Sequence, residues 1–389
     1  MIVHGPFPPD PRVARAVRVA VDEGWEVDVL ATRQPGQHRR EIVDGARVTR
    51  LPIQHRRGGS SLAVATEYLG FSLLASVHAA RLARRRPYTV VHVNNPPDFL
   101  VVAALVPKVL GASVVFDVHD LSPDMFAMRF GSKAGARLVD RLLRVIERAA
   151  ARIADEVVTV HEPYRQELAA RGVPAEKITV VMNSVDERLL PKPREAAEPE
   201  GFRIVYDGTV TPPYGVDLLV RAVAQIAREA PDVRLEIYGD GDCLPEVRSL
   251  AEKLDVAHRL WLSGRFLPQV EVLECIQSAS VGVIPNLPTA LNRFALSTKL
   301  FEYVALAVPV VSADLPTIRA HFDDSEVVFF RAGDPGALAT ALLEVRRNPA
   351  GAAVRAEAAL ARYKDYSWGP NARKYAELLD NCTRRRDRR

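Results

Sequence analysis

The sequence has few cysteines and no long apolar run. Its three cysteines, Cys243, Cys275 and Cys382, are far apart and form no CxxC pair. This spacing argues against a disulfide framework or a zinc site and predicts reduced thiols. No stretch reaches the length of about eighteen apolar residues that a membrane-spanning helix needs. The start, MIVHGPFPPDPR, lacks the charged region and long apolar stretch of a signal peptide, so a cytoplasmic location is expected.

Positive charge is clustered, although the formal net charge is only +4. One cluster comprises Arg81 and residues 84–86, another is His55-Arg56-Arg57, and the sequence ends in RRRDRR. Such clusters are either solvated surface or contacts for anionic lipid. If they contact lipid, the protein would be a peripheral membrane protein at the inner membrane face. Nucleic-acid binding is not expected, because zinc-finger spacing and RNA-binding aromatic signatures are missing.

Short β-branched segments alternate with amphipathic ones along the whole chain. The segments VVHVN at 90–94 and SVVFDV at 113–118 are typical of strands, whereas 13–23 and 133–154 show helical periodicity. This alternation predicts parallel sheets with helices on both faces.

A proline-rich and charged segment at 186–201 interrupts the alternation, which then restarts. We predict an α/β protein with two doubly wound, Rossmann-like domains at 1–186 and 202–366, joined by a linker at 187–201. A helix with a basic tail is expected at 367–389. Ligands of such sheets bind beyond the carboxyl ends of the strands, so a cleft between the domains is the expected site.

The segment STKLFEYVALAVPVV at 297–311 carries the strongest chemical signal. A helix that begins at Ser297 or Thr298 would present free amides to a phosphate, and Lys299 adds a full positive charge. Glu302, three residues further on, lies on the same helical face and suits two ribose hydroxyls. Spacing alone also permits an ordinary surface lysine–glutamate pair.

Two other motifs are weaker. Asp240-x-Asp242 follows an apolar strand, as in metal-dependent glycosyltransferases of another fold, but its late position favours a strand-to-helix turn. Gly239-x-Gly241 lacks the third glycine of a dinucleotide fingerprint. We therefore expect neither a bound metal nor a cofactor.

Taken together, these segments resemble the family-four glycosyltransferases of the GT-B fold. The stretch 297–311 is similar to the donor motif of that family, and FDVHDLSPDMF at 116–126 is similar to its acceptor-side loop. YKDYSWGPNARKYAELL near the end resembles the tryptophan-bearing helix that crosses back to the first domain. The likeness covers nearly the whole chain in the same order.

The resemblance implies roles for individual residues. Lys299 is expected near the diphosphate, Glu302 at the ribose, and His119 beside the transferred sugar. His119 could instead be a core or loop histidine, or form a metal site with Asp117 and Asp120. The remaining expected donor contacts are Thr209, Arg265, Phe266, Asn292, Arg293, Ala295, Leu296, Ser297 and Thr298. The expected acceptor-side loop residues are Asp10, Arg12 and Asp120. Phe266 could equally be a core residue.

The sequence also departs from the family pattern. Phe294 stands where a glutamate is usual, which leaves Asn292 as a possible substitute for a sugar contact. Thr209 and Tyr214 stand where the family tends to carry an arginine and a lysine. Two phosphate-binding cations are therefore missing, and Lys299, Arg293 or Arg12 would have to replace them.

The resemblance implies a retaining, metal-independent transfer of a hexose-type sugar, most simply from a UDP-sugar, to an acceptor hydroxyl. A sugar-nucleotide epimerase on the same fold and a degenerate sugar-nucleotide-binding module are the alternatives. The acceptor could be a lipid-linked saccharide or a small aglycone, and no residue pattern distinguishes them.

Overall fold

The computed structural model describes residues 1–53, 61–130, 135–192, 201–290 and 292–387. The chain divides into two compact units. Unit 1 comprises Met1–Asn183 and Gly369–Arg389, and unit 2 comprises Ser184–Trp368. Of the predicted linker, residues 193–200 lie outside the described residues, and Glu187–Leu189 before them forms one 3-10 turn.

Unit 1 is built on a sheet of eight strands. They are β1 (Ile2–Val3), β2 (Asp28–Thr32), β3 (Arg40–Val43), β4 (Ala46–Leu51), β5 (Val90–Asn94), β6 (Ser113–Val118), β7 (Glu156–Thr159) and β8 (Ile178–Val180). The order is β3-β4-β2-β1-β5-β6-β7-β8, and only β3 is antiparallel to its neighbour. Every residue of β6 is buried, as expected for an inner strand covered on both faces.

Helices cover both faces of this sheet. They are α1 (Pro11–Asp22), α2 (Ser61–Arg85), α3 (Leu105–Val109), α4 (Ser122–Phe130), α5 (Ala136–Ile153) and α6 (Glu162–Ala170). A 3-10 segment, Asp98–Ala104, leads into α3. The predicted helix at 133–154 thus begins at Ala136, and its first two residues lie outside the described ranges.

Unit 2 is a six-stranded parallel sheet. Its strands are β9 (Phe202–Asp207), β10 (Val233–Tyr238), β11 (Leu260–Leu262), β12 (Val281–Ile284), β13 (Val310–Ala313) and β14 (Val328–Phe330). The order β11-β10-β9-β12-β13-β14 reverses direction at β9 and β12, where doubly wound sheets bind ligands. The helices are α7 (Val216–Ile226), α8 (Leu244–Lys253), α9 (Gln269–Ile276), α10 (Thr298–Ala305), α11 (Pro316–Arg319), α12 (Pro335–Arg347) and α13 (Pro349–Tyr363).

Helix α14 (Trp368–Asp387) starts at the end of unit 2 and completes unit 1, as the family resemblance implied. Met182 donates its backbone N–H to Asn371 Oδ1 at 2.8 Å. Ser113 Oγ donates to the carbonyl of Cys382 at 3.1 Å. These bonds attach the helix to the edge of the sheet and to β6.

The structure also shows the surroundings of the terminal arginines and the state of the cysteines. In the terminal arginine run, Arg385 pairs with Glu156 at 2.7 Å and Arg386 donates to Thr89 Oγ1 at 2.9 Å, so part of that run packs on unit 1. The predicted cluster His55-Arg56-Arg57 lies outside the described residues. The three cysteines are free thiols, as expected.

Within the described part of the chain, we find no helix long and apolar enough to cross a membrane.

Candidate functional site

Helix α10 begins where the sequence predicts. Ser297 occupies its N-cap position with extended backbone angles, but the Ser297 side chain makes no capping hydrogen bond. It instead accepts a hydrogen bond from Lys299 Nζ at 3.3 Å. The amides of the first turn are thus left for an anion, which the positive end of the helix dipole also favours.

Lys299 is buried in an aromatic and polar pocket at this helix end. Its ammonium lies 4.9 Å from the ring centre of Tyr206 and 5.2 Å from that of Tyr214. Burial lowers the pKa of Lys299, while the charges of Asp207 and Glu302 oppose that shift. No ion pair joins Lys299 to a carboxylate among the described residues, so the pocket suits an anionic group from a ligand.

Glu302 lies beside Lys299 and shares its surroundings with Asp207, the last residue of β9. Gln269 Nε2 donates to Glu302 Oε1 at 3.0 Å. Asp207 is close enough for its charge to act on the Glu302 carboxyl. Burial, with the neighbouring Asp207, raises the pKa of Glu302 well above its usual range. The surface-pair alternative for Lys299 and Glu302 is therefore wrong, because both side chains are buried.

Replacing Asp207 with asparagine is expected to flatten the pH dependence of stability. Because the raised pKa makes the folded protein bind a proton that the unfolded chain has released, stability falls as pH rises above about 4.3, the ordinary glutamate value. Asp207→Asn removes the neighbouring negative charge and lowers the pKa of Glu302. Thermal unfolding of ligand-free protein from pH 5 to 8 should then show a smaller loss of melting temperature than the wild type.

Asp242→Asn, at an exposed position of unit 2, is the matched control and should keep the wild-type profile. Identical profiles for wild type and Asp207→Asn would contradict the effect of Asp207 on the pKa of Glu302.

The loop after β9 is held by close backbone contacts. A Cβ on Gly239 would lie 1.8 Å from the Gly208 carbonyl oxygen, and one on Gly241 would lie 2.2 Å from the Val210 carbonyl oxygen. Only glycine permits this approach. Asp240 Oδ1 accepts from its neighbour Gly241 N at 2.8 Å, which fits the predicted turn. Among the described residues, no three His, Cys, Asp or Glu side chains are grouped to hold a metal.

Asn292 also fixes the loop after β9 through a hydrogen bond to its backbone. Its side chain is fully buried, and Nδ2 donates to the carbonyls of Pro213 at 2.7 Å and Leu287 at 2.8 Å. Its Oδ1 has no hydrogen-bond partner among the described residues. The predicted sugar contact of Asn292 therefore stays a prediction, while the geometry shows a residue that positions two loops.

The other predicted donor residues lie along this edge of unit 2. Arg293 is exposed, with its guanidinium 5.1 Å from the ring centre of Phe294. Phe266 is 47% exposed, so its alternative interpretation as a core residue is wrong. Thr209 accepts a hydrogen bond from Tyr206 Oη through its carbonyl at 2.6 Å. Arg265 and Thr298 are exposed, and Ala295 and Leu296 are half-buried.

In unit 1, the opening loop is fixed at the start of α1. Asp10 caps the helix by accepting from Arg12 N at 3.0 Å, and its carboxylate also binds the Arg12 guanidinium. Burial raises the pKa of Asp10, but Arg12 more than offsets this and lowers it to about 2. Arg12 also approaches Asp120 at 3.8 Å, so the structure brings the three predicted acceptor-side residues together.

His119 is held at the carboxyl end of β6 by neighbouring side chains, of which Asn94 and Asn95 were not predicted. Its backbone N–H donates to Asn95 Oδ1 at 2.8 Å. Its Nε2 lies 3.1 Å from Asn94 Oδ1 and 3.3 Å from Asp117 Oδ2. Since both neighbours are acceptors, Nε2 is the protonated nitrogen of the neutral ring.

The other ring nitrogen of His119, Nδ1, is buried and makes no hydrogen bond to the described residues. Burial lowers the pKa of His119, although Asp117 opposes the shift. A neutral ring with a free Nδ1 lone pair can accept a hydrogen bond from a hydroxyl group.

A chain of two hydrogen bonds next to His119 fixes the position of Asp117. His92 Nε2 lies 3.0 Å from Asp117 Oδ2, and His92 Nδ1 lies 2.7 Å from Tyr375 Oη. Tyr375 belongs to α14, so the returning helix helps to position this polar group.

Two doubly wound α/β units and a helix that returns to the first define the GT-B class of proteins. Two family descriptions match the chain, "Glycosyl transferase 4-like domain" over residues 9–184 and "Glycosyl transferases group 1" over residues 201–348. The chain therefore belongs to the family-four glycosyltransferases.

Curated relatives agree with this assignment. A D-inositol 3-phosphate glycosyltransferase of Streptomyces scabiei is 26% identical over 67% of this chain and 58% of its own length. An alpha-D-kanosaminyltransferase of Streptomyces kanamyceticus is 21% identical over 57% of each chain. The match thus spans less than two thirds of these relatives.

Solved structures show the same fold. Sucrose-phosphate synthase of Thermosynechococcus elongatus superposes with a TM-score of 0.75 at 18% identity, over 98% of this chain and 95% of that one. Anabaena HepE in complex with UDP-glucose gives a TM-score of 0.72 at 14% identity, over 98% of both chains.

Proposed function

We propose that the protein transfers a hexose-type sugar from a UDP-sugar to an acceptor hydroxyl, with retention of the anomeric configuration and without a metal ion. The observation that carries this proposal is the buried pair of Lys299 and Glu302 at the start of α10. A lysine without a paired carboxylate suits a diphosphate, and a neighbouring carboxyl suits the ribose.

The chemistry follows from the leaving group. Negative charge grows on the diphosphate oxygens as the glycosidic bond breaks, and donors placed in advance stabilise that charge. Lys299 and the first amides of α10 would supply them. The departing phosphate would accept the proton of the acceptor hydroxyl, so no protein base is needed. Nδ1 of His119 would accept a hydrogen bond from a sugar hydroxyl and orient the ring.

The choice of UDP is supported by likeness. HepE, which shares the fold, is described with bound UDP-glucose. A lipid-linked saccharide and a small aglycone are both suitable acceptors, because each carries a hydroxyl group.

A panel of UDP-, GDP- and ADP-hexoses, scored for nucleotide release and product structure, tests the proposal. We expect release to be fastest with a UDP-sugar and unchanged by EDTA, because Lys299 and the α10 amides would take the role of a metal. Calorimetry should show UDP binding more tightly than GDP.

Each part of the proposal can fail separately. Formation of an epimer from donor alone would favour a sugar-nucleotide epimerase. Absence of binding by every nucleotide would favour a degenerate module. Loss of activity in EDTA, restored by Mg²⁺ or Mn²⁺, would overturn metal independence.

A further inference from the structure

Exposed apolar side chains are concentrated on one helical layer of unit 1. The segment Asp98–Ala104 and α3 pack against α2, and the same segment packs against α5. Sixteen large apolar side chains are exposed in the described ranges, and ten of them lie on this layer, so the clustering exceeds ordinary scatter. The ten are Leu69, Leu73, Val77, Val102, Leu105, Val109, Leu110, Leu138, Leu142 and Val145.

The helical spacing aligns these side chains into stripes. Leu69, Leu73 and Val77 are four residues apart and follow one line along α2. On α5, Leu138 is 72% exposed, and the exposed Leu142 lies one turn further on. Because the other faces of both helices pack against unit 1, these stripes face away from the sheet.

Arginines accompany both stripes. On α2 the line continues into exposed Arg81, Arg84 and Arg85. The exposed arginines of α5 are Arg137, Arg141, Arg148 and Arg152. None of these seven forms an ion pair with an acidic side chain in the part of the chain that the structure describes.

Acidic side chains offer little compensation on this layer. Glu67 of α2 pairs with His4 at 3.0 Å, and its side chain is only 9% exposed. On α5, Asp140 pairs with Arg144 at 3.0 Å, and Glu147 is 1% exposed. The outward face therefore combines apolar stripes with unpaired positive charge.

We infer that this face of unit 1 binds the surface of a membrane that contains anionic lipid. The apolar stripes would enter the boundary between headgroups and acyl chains, and the arginines would contact lipid phosphates. A second copy of the chain fits less well, because two such faces would oppose like charges. A nucleic acid fits less well too, since aliphatic stripes offer no aromatic surface for stacking bases. The inference is independent of sugar transfer.

Flotation of the full-length protein with lipid vesicles tests the inference. We expect binding to phosphatidylcholine vesicles that contain phosphatidylglycerol, weak binding to phosphatidylcholine alone, and loss of binding as salt is raised. The double variant Arg141→Gln/Arg148→Gln should partition about tenfold more weakly. Leu138→Gln/Leu142→Gln should weaken partitioning by about tenfold as well.

Matched variants of unit 2 control for charge and for folding. Arg228→Gln/Arg248→Gln removes the same charge from exposed positions and should bind vesicles like the wild type. All variants should keep the wild-type circular dichroism spectrum and nucleotide affinity.

Three results would overturn the inference. They are equal binding to neutral and anionic vesicles, an equal loss of binding in the unit 2 control, and self-association in ultracentrifugation without vesicle binding. The last of these would assign the face to a second copy.

Discussion

Replacing Lys299 with alanine is expected to lower kcat/KM for donor by about 100- to 1,000-fold, the usual effect of removing a donor to a developing oxyanion. The effect should be large here because Thr209 and Tyr214 stand where relatives tend to carry cations. The ring of Tyr214 packs 5.2 Å from the Lys299 ammonium instead of adding a second charge. Lys299 is therefore the principal cation at this helix end. The rate of nucleotide release by Lys299→Ala, compared with the wild type, measures the loss of activity.

Folding and function can be separated at this residue. Lys299→Met retains most of the side-chain volume and removes a charge that is costly to bury, so its melting temperature should equal or exceed that of the wild type. Its activity should fall as far as that of Lys299→Ala. Lys253→Ala, at an exposed lysine of α8, should remain fully active. Activity of Lys299→Met within about threefold of the wild type would refute the phosphate role.

Replacing Glu302 with alanine is expected to weaken UDP binding by up to about 100-fold, because two hydrogen bonds to ribose hydroxyls would be lost and each contributes about 0.5–1.5 kcal/mol. The sharper measurement is discrimination against 2′-deoxy-UDP. The wild type should prefer UDP, and Glu302→Ala should bind both nucleotides equally weakly. Calorimetry with the two nucleotides checks this expectation.

A control and a contrary result complete that experiment. Glu246→Ala removes an exposed carboxylate from α8 and should preserve the preference for UDP. Retained discrimination in Glu302→Ala would show that another residue holds the ribose.

The sequence predicted the elements whose signals are local. Helix α10 was identifiable because its apolar residues repeat with helical spacing. The strands at 90–94 and 113–118 were correct to the residue, since buried parallel strands are continuous β-branched runs. Strand β3 was missed because it lies at an edge and alternate residues are exposed.

The site was less predictable, because its residues meet only in space. In the sequence, Asp207 is the polar residue at the end of an apolar strand. Nothing around it indicates that Glu302, 95 residues later, is its neighbour in the fold. Asn94 and His92 likewise belong to β5, whereas Asp117, which His92 contacts, lies in β6, and His119, which Asn94 contacts, follows β6. Parallel pairing of β5 with β6 brings them together, and the register of a sheet is not visible in single residues.

The return of α14 to unit 1 has a consequence for synthesis on the ribosome. Unit 2 is continuous from Ser184 to Trp368, so it can fold once that stretch has emerged. Unit 1 cannot complete its fold until the residues from Gly369 onward have been synthesised, although it contains the first half of the chain. Tyr375, which contacts His92, arrives only then. Unit 2 can thus finish folding before the hydrogen bonds that link Tyr375, His92 and Asp117 behind His119 can form.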